Sequence, residues 1–175
     1  MIAALKHASS ERGTYKEGNE FLDLDVSFDG TWMTRGHKSH IGIGCVIEWN
    51  TGFVVDFEVL SNFCQSCFTK QRTLSPEEFA HWKVTHRNCK KNFDGKSGAM
   101  EKEAATRIWS RSTQLGLRYV TFLSDGDSAA YKAVTELNDG AGPYDVPVEK
   151  EECINHVSKI SCTPTFSFII SFISF

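Results

Sequence analysis

The sequence lacks an apolar run at its start. Met1 to Ser10 interrupts its few aliphatic residues with Lys6 and His7, so neither a signal peptide nor a membrane span is expected there, and an intracellular location is. It also lacks a strong charge of either sign. Nineteen Lys and Arg against 22 Asp and Glu leave −3. No global field therefore draws nucleic acid, and any contact with phosphate has to come from a local patch or from bridging metal ions. A disulfide framework is missing as well. Of six cysteines, Cys64, Cys67 and Cys89 fall in one segment with histidine, which favours a metal over cross-links. A calcium loop is a weak reading, because Asp125-Gly126-Asp127-Ser128 does not continue into the glycine and glutamate that such a loop needs. What remains, in 175 residues of ordinary apolar and charged content, is one soluble domain with a core.

Three strands come first. Phe21 to Asp29 alternates apolar and polar residues, the period of a half-buried strand, and the pattern predicts that it ends at an Asp29-Gly30 turn. Ile41–Trp49 and Phe53–Leu60 are rich in β-branched and aromatic residues and are joined by Asn50-Thr51-Gly52, completing an antiparallel meander. Residues 62–95 change to Cys, Lys, Asn and Arg and read as an insertion. Within it, Ser75-Pro76-Glu77-Glu78 signals a short helix by its capping box. Ala99–Leu115 then places Met100, Ala104, Ile108, Ser112 and Leu115 on one helical face and stops at Gly116. Tyr119–Leu123 is a buried strand, Ser128–Leu137 a second helix, and Val146-Pro147-Val148 an edge strand. From Ile160 the chain turns into a repetitive Ser/Phe/Ile tail, too short and too hydroxyl-rich for a membrane span. Residues 1–20 read as an extension, 21–159 as the domain and 160–175 as an atypical terminus.

Cys64-x-x-Cys67 followed by His86-x-x-Cys89 supplies two ligand pairs, and the 18 residues between them leave room for the short helix. Thiolate and imidazole suit tetrahedral Zn²⁺, and four protein ligands leave no position for water, so the ion would be structural. His81 is the substitute ligand. Cys153-x-x-His156 shows only two ligands; a second zinc, a place beside the active site and a plain packed pair all remain open.

Asp29 and Asp125 each end a predicted strand, and Glu101 opens the helix before the fourth. If the first and fourth strands are parallel neighbours, the three carboxylates meet at one sheet edge and make a hard oxygen site for Mg²⁺ or Mn²⁺. Either Asp-Gly motif alone reads more readily as a turn, and only their joint placement on this topology favours the metal site. Asp127 is the fallback for Asp125. Arg35, His37, Lys38 and His40 lie in the connection after the first strand, where they either contact phosphate or form a solvated tip. Trp32, Trp49 and Trp109 read as core.

Val26-Ser27-Phe28-Asp29-Gly30-Thr31-Trp32, Gly98-Ala99-Met100-Glu101, Ser124-Asp125-Gly126-Asp127-Ser128 and Cys153-Ile154-Asn155-His156 together resemble the Mutator-like transposase domain, over about Phe21 to Lys159. The resemblance implies a ribonuclease H-like mixed α/β sheet, β-β-β-α-β-α-β, here with a zinc-binding insertion. It implies Asp29 and Asp125 as the first two catalytic acids and Cys153 with His156 as the family's Cys-x-x-His pair. Glu101 enters by the likeness of Met-Glu to a metal-binding acid of ribonuclease H itself. The implied activity is metal-dependent DNA cleavage and strand transfer on transposon ends and target, in the nucleus and without a membrane; self-association is compatible with it. The family's last catalytic glutamate lies on a later helix that this chain does not reach, so the expectation is an incomplete, inactive copy. The alternatives are a non-catalytic DNA- or protein-binding descendant, or a nuclease of the ribonuclease H type.

Overall fold

The computed structural model describes residues 1–34, 39–124 and 129–152. The alternation near Phe21 becomes strand β1 (Leu22–Trp32), whose Leu22, Leu24, Val26 and Phe28 are all buried on one face. β1 does not turn at Asp29-Gly30. Gly30 pairs with Gly44 and Trp32 with Gly42 in an antiparallel ladder with β2 (Ile41–Glu48). The expected turn is thus a strand interior, and its glycine is there because a helix packs on it. β3 (Val54–Ser61) pairs antiparallel with β2, so the three-strand meander is as expected.

On the other side of β1 lies β4 (Leu117–Ser124), parallel to it, with Leu123 level with Ser27. β5 (Glu149–Glu152) runs parallel to β4, giving an open, mixed five-stranded sheet in the order β3-β2-β1-β4-β5. The edge strand expected at Val146–Val148 falls instead at Glu149–Glu152. Its Glu-Lys-Glu-Glu sequence carries no apolar alternation because its side chains are largely exposed, and such charge protects an edge from pairing with other chains.

One helix sets the core. After a 3₁₀ turn at Ser97–Ala99, α4 runs over Met100–Arg111 and buries Met100, Ala104, Ala105, Ile108 and Trp109. Its last turn tightens into 3₁₀ geometry at Ser112–Leu115, which rotates Leu115 off the buried face to 41% exposure, contrary to the sequence pattern. Gly116, at φ 72°, supplies the left-handed stop.

α4 comes close to the sheet because Gly30, Gly42 and Gly44 offer it no side chains. A Cβ built on Gly44 would lie 2.5 Å from the Ala104 Cβ, and one on Gly42 would lie 2.9 Å from the Met100 sulfur. Trp109 then reaches an aromatic cluster, stacking on Phe122 at 4.9 Å and meeting Phe28 edge-on at 5.7 Å, while its Nε1 donates to the Tyr119 carbonyl. Arg111 clamps the same helix to β3 through Asp56 and Glu58.

α5 (Ala129–Thr135) packs against α4 and is followed by a short helical turn, α6 (Leu137–Gly140), in which Asn138 and Asp139 take positive φ, so the helix stops before Asn138 as its sequence predicts. The N-terminal residues form a helix that sequence patterning did not reveal, α1 (Ile2–Glu11), which buries Leu5. Arg12 at its end reaches Glu48, a fully buried carboxylate that accepts from the Thr51 amide and hydroxyl and from Asn50 at the β2–β3 turn. Burial alone would raise the Glu48 pKa, but these donors outweigh it and hold the carboxyl below its ordinary range. Among the described residues no helix is long and apolar enough to cross a membrane.

Candidate functional sites

The insertion between β3 and α4 holds two helices rather than the single one expected, α2 (Gln65–Thr73) and α3 (Pro76–Thr85). The Ser75–Glu78 capping box forms as its sequence predicts. Cys64 is the N-cap of α2 and His86 the C-cap of α3, so the loop ends of two short helices bring the ligand pairs together.

The ligand atoms of Cys64, Cys67, His86 and Cys89 all lie within 4.8 Å of one another. The Cys64 Sγ is 3.4 Å from the His86 Nε2, and the Cys67 Sγ is 3.5 Å from the Cys89 Sγ. A tetrahedral ion with Zn–S near 2.3 Å and Zn–N near 2.0 Å spaces its ligands roughly 3.5–3.8 Å apart, so the four groups fit such an ion. A Cys₃His cluster of this kind could hold a structural metal such as zinc. His81 is exposed on α3 and is not part of the cluster.

The protonation balance suits metal uptake. The Cys67 amide, then the Lys90 amide and the His86 ring, bring the Cys64 thiol down to about 5, as expected for sulfur at a helix N-terminus. Burial pushes Cys67 upward against the pull of Lys83. Sequence reasoning missed Lys83. Its ammonium donates to the Cys67 sulfur at 3.2 Å and to that of Cys89 at 3.6 Å, and its placement one turn before His86 on a helix was the only available signal. With Zn²⁺ bound, three thiolates leave the centre one negative charge, which Lys83 would offset. Trp82 stacks on the His86 ring at 4.4 Å and fixes its plane.

The carboxylate edge is built on core elements. Asp29 is exposed on β1 and accepts from the Gly30 amide. Glu101, in the first turn of α4, lies directly over Gly30: a Cβ there would be 2.8 Å from the Glu101 Cγ. Burial, then the charge of Asp29, raises the Glu101 pKa, so the two carboxylates feel one another. β4 ends at Ser124 on the same sheet edge, since it runs parallel to β1.

Asp125 and Asp127 lie outside the described residues, as do Arg35, His37, Lys38, Cys153, His156 and the 160–175 tail. His40 is described. It stacks on Phe63 at 4.6 Å and its Nδ1 is 2.9 Å from the Asn62 side chain. Cys45 faces Asp29 in the ladder, and burial together with Asp29 and Asp56 pushes its thiol up to about 12, so it is inert packing. Trp109 is core, Trp32 is half-buried with its Nε1 donating to the Ser97 carbonyl, and Trp49 is 43% exposed rather than core.

The Mutator-like transposase family model matches residues 2–171, which takes in α1 and the insertion as well as the sheet. No curated protein and no solved structure matches the chain. On the span of the family match, the chain belongs to the Mutator-like transposase family.

Proposed function

We propose that this chain is a transposase catalytic domain of ribonuclease H-like fold, which brings DNA phosphodiesters to a divalent-metal site formed by Asp29, Glu101 and Asp125. The observation that carries the reading is the seating of Glu101 on Gly30, next to Asp29, in a member of a transposase family. The strand order and directions, with three antiparallel strands followed by two parallel ones, support the fold assignment.

In this reading Asp29 and Glu101 fail to neutralise each other and would both gain from a cation, which is why burial and like charge raise Glu101 without one. A bound Mg²⁺ or Mn²⁺ would supply Lewis-acid activation of water or of a DNA 3′-hydroxyl. The chain's own contribution is positioning: β1 fixes Asp29 in the ladder, and the glycine seam fixes α4 and hence Glu101. The Cys₃His cluster would hold zinc as a brace of the insertion. Transposon-end and target DNA as substrates, and a nuclear location, belong to the same proposal.

The test is Mn²⁺ binding followed by electron paramagnetic resonance, beside Mg²⁺- or Mn²⁺-dependent cleavage of duplex DNA and of RNA·DNA hybrid. Binding that is lost in Asp29→Ala and weakened in Glu101→Gln is expected, and preference for duplex DNA over hybrid separates transposase from ribonuclease. Binding that is unchanged in both variants would remove the carboxylate site. Metal binding without cleavage would leave a non-catalytic descendant.

A further inference from the structure

The positive charge of the chain is unevenly placed. Residues 62–95 carry six Lys or Arg against three Asp or Glu, while the rest of the chain carries thirteen against nineteen. The difference extends to the pairing of the described arginines. Outside the insertion, Arg12, Arg107, Arg111 and Arg118 are all bound to carboxylates, on Glu48, Glu58, Asp56 and Asp23 among others. Within it, Lys70, Arg72, Arg87 and Lys90 are exposed and form no ion pair among the described residues. Arg72 lies over the Phe68 ring at 4.2 Å, and Phe68 is itself 42% exposed. An acidic body whose described arginines are neutralised thus bears one basic appendage; unpaired lysines occur on both, but among the described residues the arginines without a carboxylate partner, Arg72 and Arg87, lie in the insertion.

The appendage is also in the right place. β1 and β3 both run antiparallel to β2, so their C-terminal ends share a sheet edge: Trp32 pairs with Gly42, and Ser61 with Ile41 next to it. The insertion leaves the sheet at Ser61 and returns at α4, so it is rooted at the edge that carries Asp29 and Glu101.

We propose that the insertion is the DNA-gripping surface of this domain: Lys70 and Arg72 on α2, and Arg87 and Lys90 beside the metal ligands, contact the phosphates of duplex DNA and hold it against the carboxylate edge. The proposal rests on the transposase reading for its choice of nucleic acid as the anion. Lysine and arginine contacts to phosphate are sequence-independent, so this surface holds the duplex without choosing its sequence. The metal centre orders the loops on which Arg87 and Lys90 sit, since each is adjacent in sequence to a ligand, His86 or Cys89.

The experiment is fluorescence anisotropy of a labelled random-sequence duplex with the zinc-loaded full chain, without Mg²⁺, over a series of salt concentrations. The wild type is compared with Arg87→Ala/Lys90→Ala, with Lys70→Ala/Arg72→Ala, and with Lys16→Ala/Lys132→Ala on the sheet body as an equal loss of charge. Zinc content and circular dichroism confirm the fold of each. Each insertion pair should weaken binding about tenfold or more near 0.1 M salt and flatten the slope of log K against log salt by roughly two, at about 0.9 per phosphate contact. The body pair should change the slope little. Equal losses in all three pairs, or insertion variants that bind as the wild type does, overturn this surface and leave the transposase reading standing. A wild type that binds no duplex overturns both.

Discussion

The spacing between α4 and the sheet can be tested at Gly44. A Cβ on this residue would sit 2.5 Å from the Ala104 Cβ and 3.1 Å from the Phe28 ring, whereas carbon atoms in contact prefer about 3.5–4.0 Å. Gly44→Ala therefore requires α4 or Phe28 to yield by about 1 Å. Neither is free to do so, because Trp109 on the same helix is packed between Phe28 and Phe122 and Arg111 is tied to β3. Overpacking of this kind costs ~1–3 kcal/mol. The removal of a strand glycine returns at most ~1 kcal/mol, so a net loss of roughly 1–2 kcal/mol is expected. Urea unfolding followed by circular dichroism should show a lower midpoint at unchanged slope. The decisive arm is Ala104→Gly. By itself it should destabilise by ~1 kcal/mol through helix propensity, but in the Gly44→Ala background it removes the clashing methyl and should restore stability. A cycle that is additive within ~0.5 kcal/mol would refute the claim that these two positions set the helix–sheet distance.

Replacing Cys67 by Ser should reduce bound zinc below one equivalent. It should also abolish hydrogen-exchange protection in α2 and α3 while leaving that of β1 and β4 intact; protection lost throughout the sheet would show that the insertion is not a separate unit. Glu48→Gln removes the charge and turns one of the two oxygens that accept from Thr51, Asn50 and Arg12 into a donor, and should cost about 2–3 kcal/mol at neutral pH. Because the folded-state pKa of Glu48 is depressed, its contribution is complete above the unfolded carboxyl value of about 4.3 and fades as pH falls through the lower folded value. The gap between wild type and variant should therefore close in acid, and a gap independent of pH would contradict the ionised buried carboxylate. In Asp29→Ala the Glu101 pKa should move back towards its ordinary range but only part of the way, since burial is the larger cause; carboxyl NMR titration reads this, and an unmoved value would separate the two groups.

Much of the fold was legible because burial imposes a period. β1 alternates since one face meets α4, and α4 repeats its apolar residues since one stripe meets the sheet. Where burial is slight the signal disappears. β5 pairs with β4 through its backbone and carries four charged residues, and α1 commits Leu5 and Ser9 to the interior while the rest of the helix is mostly exposed. The Cys-His spacing was legible because metal ligands are chemically rare, whereas Lys83 is one surface lysine among many until the fold sets it on two sulfurs. Asp29-Gly30 was misread for a related reason. Asp-Gly favours turns locally, but here the glycine answers a helix that arrives some seventy residues later in the chain, which no local pattern encodes.

The insertion's root bears on how the two candidate metal sites cooperate. The Asn92 side chain accepts from the Ser61 amide at 2.7 Å and donates to the Val59 carbonyl at 2.8 Å, and the Asn62 side chain donates to the Gly95 carbonyl at 3.0 Å. Arg107, on the helix that carries Glu101, donates to the Asn92 carbonyl at 2.9 Å. The outgoing and returning strands of the insertion are thus sewn to each other, to the end of β3 and to α4. An element held at its base by several backbone-directed hydrogen bonds has little freedom to swing, so a duplex gripped by the insertion would meet Asp29 and Glu101 in one fixed geometry. If the carboxylate edge holds a divalent ion as proposed, the soft Cys₃His centre and that hard oxygen edge would select different ions by ligand chemistry. This root would let the first ion, by ordering the insertion, determine what is presented to the second.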